Sequence, residues 1–346
     1  PQYDDFFIAY DSPNDLTPDQ RSKIFRPRTS DILTRFDTIR GPQYVWTTFS
    51  HDQIDFNFRN PRVLMEVLSG LLFYVRRGAD ILRLDAVTYL WSEPGTECIH
   101  LPQTHTIVKL LRDVMDTVAP GVALITETNV PHEQNTSYFG DGSDEAHMVY
   151  NFALPPLVLH TIYTQDASAI SRWAARLRTH SKTSTFFNML DTHDGIGVMG
   201  VKGILQPEEI KALVERAQQH GAFISYKSTE KGEEPYEINS TWWSAINRDN
   251  GHEDLALQVK RYVASRTMAL VIKGVPGVYT HGALGLSNNP RLVEETGIKR
   301  DINRGSIDSD YFAEQLADPT SKRSLLQQEF AGMGVIRTRN RAFHPQ

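Results

Sequence analysis

One cysteine, Cys98, stands among 346 residues, so no internal disulfide can form. That usage fits a reducing compartment and a thiol that serves as a small packed hydrophobe. No apolar run reaches the roughly 20 residues that a membrane span needs. The N-terminus lacks the basic-then-apolar pattern of a signal peptide. A cytoplasmic protein without a membrane partner is therefore expected. Charge of one sign is also scarce: 36 Lys and Arg against 42 Asp and Glu give a net charge of -6. That argues against a nucleic-acid partner, which favours a basic face. Zinc or calcium spacing is missing too. His100 and His105 suit neither one helix face nor a finger. The stretch "GDGSDEAH" lacks the ligand spacing of a helix–loop–helix site. Packing and turn roles are expected for these residues, with no metal.

What is present is ordinary globular composition, 40% hydrophobic and 23% charged. The length suits one large domain or two smaller ones and can bury a full core without staples. Residues 1–50 are rich in Asp, Pro, Thr and Arg without helical periodicity, which reads as an irregular lobe with short strands. Asn60-Pro61 then opens a helix with Val63, Leu64, Val67, Leu68, Leu71, Leu72 and Val75 on one face and Gly78 as its stop. Strand-like runs follow at "DILRLDAV", "VALITET", "MVYNFALP", "TSTFFNML" and "GVPGVYTH". Between and around them lie helical patterns at 104–121, 166–180, 207–220, 255–272 and 321–337. The helix at 104–121 should turn Ile107, Leu111, Val114 and Val118 inward. Residues 221–245 read as a polar insertion. Its Trp242-Trp243 pair offers sugar-stacking platforms, one of the two being expected in the core. Alternating strands and helices imply parallel strands with helical crossovers.

Three of these strands run into carboxylates: Asp85, Glu127 and Asp194. They are 42 and 67 residues apart, spacings of about one and two strand–helix–strand units. In parallel α/β folds the carboxyl ends of strands line the site. Three acids on one rim would either bind a metal or run nucleophilic and acid/base chemistry. Arg83, two residues before Asp85, shares its face on a strand. An adjacent guanidinium orients an ionised nucleophile and repels a cation. Glycoside chemistry uses this mix, with two carboxyl groups about 5–5.5 Å apart in retaining enzymes.

The motifs "RLDAV", "ITETN" and "DTHDGIG" resemble signature regions of the α-amylase family, glycoside hydrolase family 13. The stretches "YNFALPPLVLHT", "YEINSTWWSAI", "GVPGVYTHGALG" and "RDINR" resemble its sucrose phosphorylase subfamily. "CIHLPQTH" and "ETNVPHEQNTSYFGDG" are similar to the glucosylglycerate phosphorylase branch. The resemblance implies an α/β fold of the (β/α)8 TIM-barrel type. Here it would be a partial barrel of strands four to eight, with a small lobe before it (1–50), the barrel over 51–346, and the insertion after strand seven. It implies a retaining α-glucoside phosphorylase, with glucosylglycerate favoured and sucrose or glucosylglycerol as alternatives. Phosphate would be the co-substrate and no cofactor is implied. Asp85 would be the nucleophile, Glu127 the acid/base and Asp194 the transition-state carboxylate. Arg83, His193 and Arg300 would line the glucose subsite, with Tyr89 as a nearby aromatic and Phe49 and Gln53 flanking it. Arg28 would meet phosphate. An anionic acceptor calls for a cation, Arg28 or Arg26. Asn129 and Glu237 depart from the His and Gln usual in sucrose phosphorylases and fall on the acceptor side.

A hydrolase or transglucosylase of the same clan is the alternative within enzymes. A non-catalytic scaffold is the alternative outside them, and a metal-dependent hydrolase the outsider. The resemblance further implies a fragment, poorly stable and nearly inactive alone, of a longer protein for which a homodimer is allowed.

Overall fold

The computed structural model describes residues 3, 5–179, 181–229, 232–248 and 252–344. The chain divides into two compact units. The first holds residues 1–128, 137–149 and 226–234, and the second 129–136, 150–225 and 235–346.

In the first unit, the lobe is a hairpin. Strands Leu33–Thr38 and Gly41–Trp46 pair antiparallel in unbroken register, and Ala9–Tyr10 adds to the second of them. Trp46, Leu16, Ile32, Leu33 and Cys98 form the buried cluster beneath it. Cys98 thus packs as a small hydrophobe, as its isolation in the sequence implied.

The helix Pro61–Val75 begins where Asn60 accepts a hydrogen bond from the Arg62 amide. It covers the expected face: Val63 and Leu68 are buried, while Met65, Phe73 and Tyr74 point outward. Strands Ile81–Leu84, Ala123–Thr126 and Met148–Tyr150 follow in parallel register, Arg83 opposite Ile125 and Leu84 opposite Thr126. The helix Pro102–Val118 buries Ile107, Leu111 and Met115, an i, i+4 track. Val118, expected inward, is exposed, because that track passes it in the last turn.

The second unit carries two further parallel strands, Thr185–Asn188 and Val275–Pro276. The five strand-like runs of the sequence are thus five strands. "MVYNFALP" is shorter as a strand than its apolar run suggests, because Leu154–Thr164 is a helix. Eight successive residues of that helix, from Leu154 to Thr161, are buried. A helix covered all round has no polar face to set a 3.6-residue period, so its sequence gives no helical signal. Helices Ser168–Arg176, Pro207–Gln219, Leu255–Val271 and Lys322–Arg339 fall where expected. His180, at the end of the first of these runs, lies outside the described residues.

The polar insertion is a hairpin of Phe223–Thr229 and Gly232–Asn239, and its Glu230 and Lys231 lie outside the described residues. Trp242 and Trp243 are 0% and 1% exposed. Both are core, so neither is a stacking platform. Trp242 Nε1 donates to Ser265 Oγ, which satisfies the polar end of a fully covered ring.

Asp191 and Arg266 form a bidentate ion pair of 2.6 and 2.7 Å inside the second unit, 7% and 2% exposed. Burial alone would lower the Arg266 pKa, and the Asp191 charge overrides it and raises it. Removing one partner strands the other charge. Asp191→Ala is expected to cost about 3–5 kcal/mol. Urea unfolding of the intact gene product measures this, and a loss below about 1 kcal/mol would contradict it.

Candidate active site

The first unit brings together Arg83, Asp85 and Glu127. Asp85 and Glu127 are the first residues beyond a register pair, Leu84 opposite Thr126, on adjacent parallel strands. Such strands lie about 4.8 Å apart. Arg83 Nη1 is 2.6 Å from Asp85 Oδ1, and its Nη2 is 3.9 Å from Glu127 Oε2. The alternation that put Arg83 on the Asp85 face therefore holds beyond the last strand residue. Asp85 is open to solvent, its side chain 68% exposed, and Glu127 is mostly covered at 16%.

The chain turns sharply after Asp85. Ala86 sits in the left-handed region, φ 49° and ψ 36°, without being glycine. That conformation costs an L-residue about 1–2 kcal/mol. It aims the Ala86 amide at Glu127, donating to Oε2 at 3.2 Å. Strain of this kind is found where a site dictates backbone direction.

Tyr89 lies in the short helix that follows, and its ring meets Phe49 edge-on at 5.2 Å. The Arg28 guanidinium lies 5.5 Å from the Phe49 centroid. Phe49 thus connects Arg28 and Tyr89. Gln53 is exposed, and its Oε1 accepts from Ser50. Arg26, expected as a cation for an anionic acceptor, is tied into the backbone of its own lobe. It is 7% exposed, and its Nε and Nη2 donate to the carbonyls of Thr48 and Thr47. Burial, with Arg28 alongside, pushes its pKa down to about 10. His100 and His105 pack against Tyr138, and His105 Nδ1 also meets Glu145 at 2.9 Å. In "GDGSDEAH", Asp141 caps Ser143 and Asp144 pairs with Lys109 at 2.6 Å. These carboxylates serve the turn.

The second unit brings together His193, Asp194, Glu237 and Arg300. Asp194 lies six residues beyond the strand Thr185–Asn188, on a loop rather than at the strand end itself. Asn303 and Arg304, which sequence reasoning missed, hold that loop. Asn303 Nδ2 donates to the Asp194 carbonyl at 2.7 Å, and Arg304 Nε donates to the His193 carbonyl at 2.8 Å. Arg304 Nη2 also lies 3.6 Å from Asp194 Oδ1. The spacing of Arg300 and Arg304, four residues, was the available signal. His193 Nε2 is 3.6 Å from Asp194 Oδ2, and its own side chain is 56% exposed.

Asn129 lies against Gly197. A Cβ on Gly197 would come within 2.4 Å of Asn129 Oδ1, so the absence of a side chain there makes room for the amide. Glu237 stands opposite Gly197 in the antiparallel ladder.

Residues 1–305 match the alpha-amylase catalytic domain. The chain belongs to that family, whose fold is the (β/α)8 barrel, and its five parallel strands are part of one. It is 48% identical over its whole length to a glucosylglycerate phosphorylase of Allomeiothermus silvanus, and 43% identical to one of Escherichia coli (strain K12). The chain spans 61% of each of those two relatives. A crystal structure of sucrose 6F-phosphate phosphorylase from Thermoanaerobacter thermosaccharolyticum superposes with a TM-score of 0.83 at 26% identity, covering 98% of this chain and 66% of that one.

Proposed function

We propose that the chain is the catalytic part of a retaining glycoside phosphorylase. It cleaves glucosylglycerate with inorganic phosphate and yields α-D-glucose 1-phosphate and glycerate. The observation that carries this reading is the Arg83 ion pair to Asp85, with Glu127 one strand away. Arg83 lies within 4 Å of both carboxylates, 2.6 Å from Asp85 and 3.9 Å from Glu127, and a close carboxyl pair is what retaining enzymes use. The relatives named glucosylglycerate phosphorylase support the donor.

The chemistry runs in two displacements. Asp85 attacks the anomeric carbon while the bond to the glycerate oxygen breaks. The Glu127 proton goes to that oxygen, and a β-glucosyl ester forms on Asp85. A phosphate oxygen then attacks the same carbon, its proton passes to Glu127, and the ester bond to Asp85 breaks. Two inversions give net retention. Asp194 holds sugar hydroxyls and opposes the positive charge that develops on the ring. Arg83, His193 and Arg300 belong to the glucose subsite. Tyr89, Phe49 and Gln53 flank it, and Asn129 belongs to the acceptor side. Arg28 takes phosphate, since a planar fork suits its oxygens. No cofactor is required. A charged sugar phosphate does not cross a bilayer freely, which supports a reaction in the cytoplasm.

A donor panel tests the substrate. With phosphate present, the intact gene product is expected to release α-glucose 1-phosphate from glucosylglycerate with a kcat/KM at least about tenfold above that for sucrose or glucosylglycerol, about 1.4 kcal/mol of discrimination. Sucrose as the best donor would contradict the assignment.

A further inference from the structure

Arg300 joins two carboxylates of different exposure. Its Nη1 lies 2.5 Å from Asp194 Oδ1. Its Nε and Nη2 donate to both oxygens of Glu237, at 2.9 and 2.7 Å. Glu237 has a side chain 3% exposed, against 19% for Asp194 and 27% for Arg300. Its two oxygens both face the guanidinium, and no open side remains from which to hold a glycerate.

The backbone fixes this placement. Glu237 stands opposite Gly197 and Ile238 opposite Ile196 in the antiparallel ladder, so the strand Gly232–Asn239 sets where Glu237 projects. Gly195, the residue after Asp194, permits the approach. A Cβ there would lie 2.5 Å from Glu237 Cγ and 2.6 Å from the Ile238 carbonyl oxygen. Burial alone would lower the Arg300 pKa, and the charge of Glu237, with that of Asp194, overrides it and raises it.

We propose that Glu237 is a positioning residue for Asp194, acting through Arg300. Two parallel hydrogen bonds fix a guanidinium in its plane. The remaining Nη1 then has one direction, and Asp194 is held along it. Asn303 and Arg304 secure the backbone of the loop by separate bonds, so the loss of Glu237 loosens the Arg300 bond to the Asp194 side chain and leaves the loop in place. The inference rests on the reading of the chain as a retaining glycoside phosphorylase, in which the Asp194 charge acts in the transition state.

The test is Glu237→Gln in the intact gene product, with α-D-glucosyl fluoride and glucosylglycerate as donors and phosphate as acceptor. Fluoride departs without touching an acceptor site. The expected result is a kcat lower by about 10- to 100-fold on both donors, the size of loss typical when the outer partner of a site residue is removed. Donor KM should stay within about threefold, the mark of an interaction made in the transition state. In an Arg300→Lys background the same change should cost less than about threefold more, because the two residues act as one unit. Unchanged fluoride turnover with a raised KM for glucosylglycerate would overturn the proposal and make Glu237 an acceptor ligand. Additive losses in the two backgrounds would overturn it as well. If Glu237→Gln does not fold, Glu237→Asp is read by the same split. Failure of the unsubstituted protein to phosphorolyse either donor would instead overturn the phosphorylase reading.

Discussion

Asp85→Asn is expected to lower kcat for phosphorolysis by about 10⁴-fold or more in the intact gene product, the scale at which loss of a nucleophile is felt. The amide keeps the shape of the side chain but cannot form a glucosyl ester that phosphate would displace. Asp85 is largely exposed, so its replacement removes no buried packing, and thermal unfolding should barely change. That separates a chemical loss from a structural one. A second variant sharpens the point. In Asp85→Gly the space left by the carboxylate admits azide, which attacks the anomeric carbon from the same face. Glu127 still protonates the leaving oxygen, so β-glucosyl azide is the expected product. Retention of more than about 1% of activity by Asp85→Asn would remove Asp85 from the mechanism.

Glu127→Gln has the next largest effect, and it depends on the donor. General acid catalysis contributes about 10²- to 10⁴-fold. Glycerate needs a proton to leave, so glucosylglycerate cleavage should fall by that amount. Fluoride needs none, so first-turnover fluoride release from α-glucosyl fluoride should fall by less than about tenfold. The geometry motivates the contrast. The short ion pair of Arg83 goes to Asp85 at 2.6 Å, while Glu127 stands at 3.9 Å and accepts the Ala86 amide. Equal losses on both donors would assign Glu127 to binding or folding.

Much of this was legible in the sequence, because the strands are short apolar runs set between polar or glycine breaks. "ILRL" and "ALIT" coincide with observed strands, and the acids after them stand where the runs end. Arg83 on the Asp85 face followed from the two-residue period of a strand. Other features lack a local signal. The helix Leu154–Thr164 is buried from Leu154 through Thr161 and has two prolines in its first turn, so it shows no stripe. Ala86 gives no hint of its left-handed backbone, which the site and not the residue imposes. The Glu237–Arg300 pair spans 63 positions, and no pattern within either segment points to the other. Glu237 was expected on the acceptor side, and both its oxygens meet Arg300 instead. The Trp242-Trp243 pair looked available for stacking because its neighbours are polar. Those neighbours, Ser240, Thr241 and Ser244, are themselves buried.

The most direct test of the whole account follows one reaction by NMR. The intact gene product is incubated with glucosylglycerate, with and without inorganic phosphate. The account predicts α-glucose 1-phosphate as the first-formed product, with turnover that depends on phosphate. The β-anomer, or free glucose released equally well without phosphate, would contradict it.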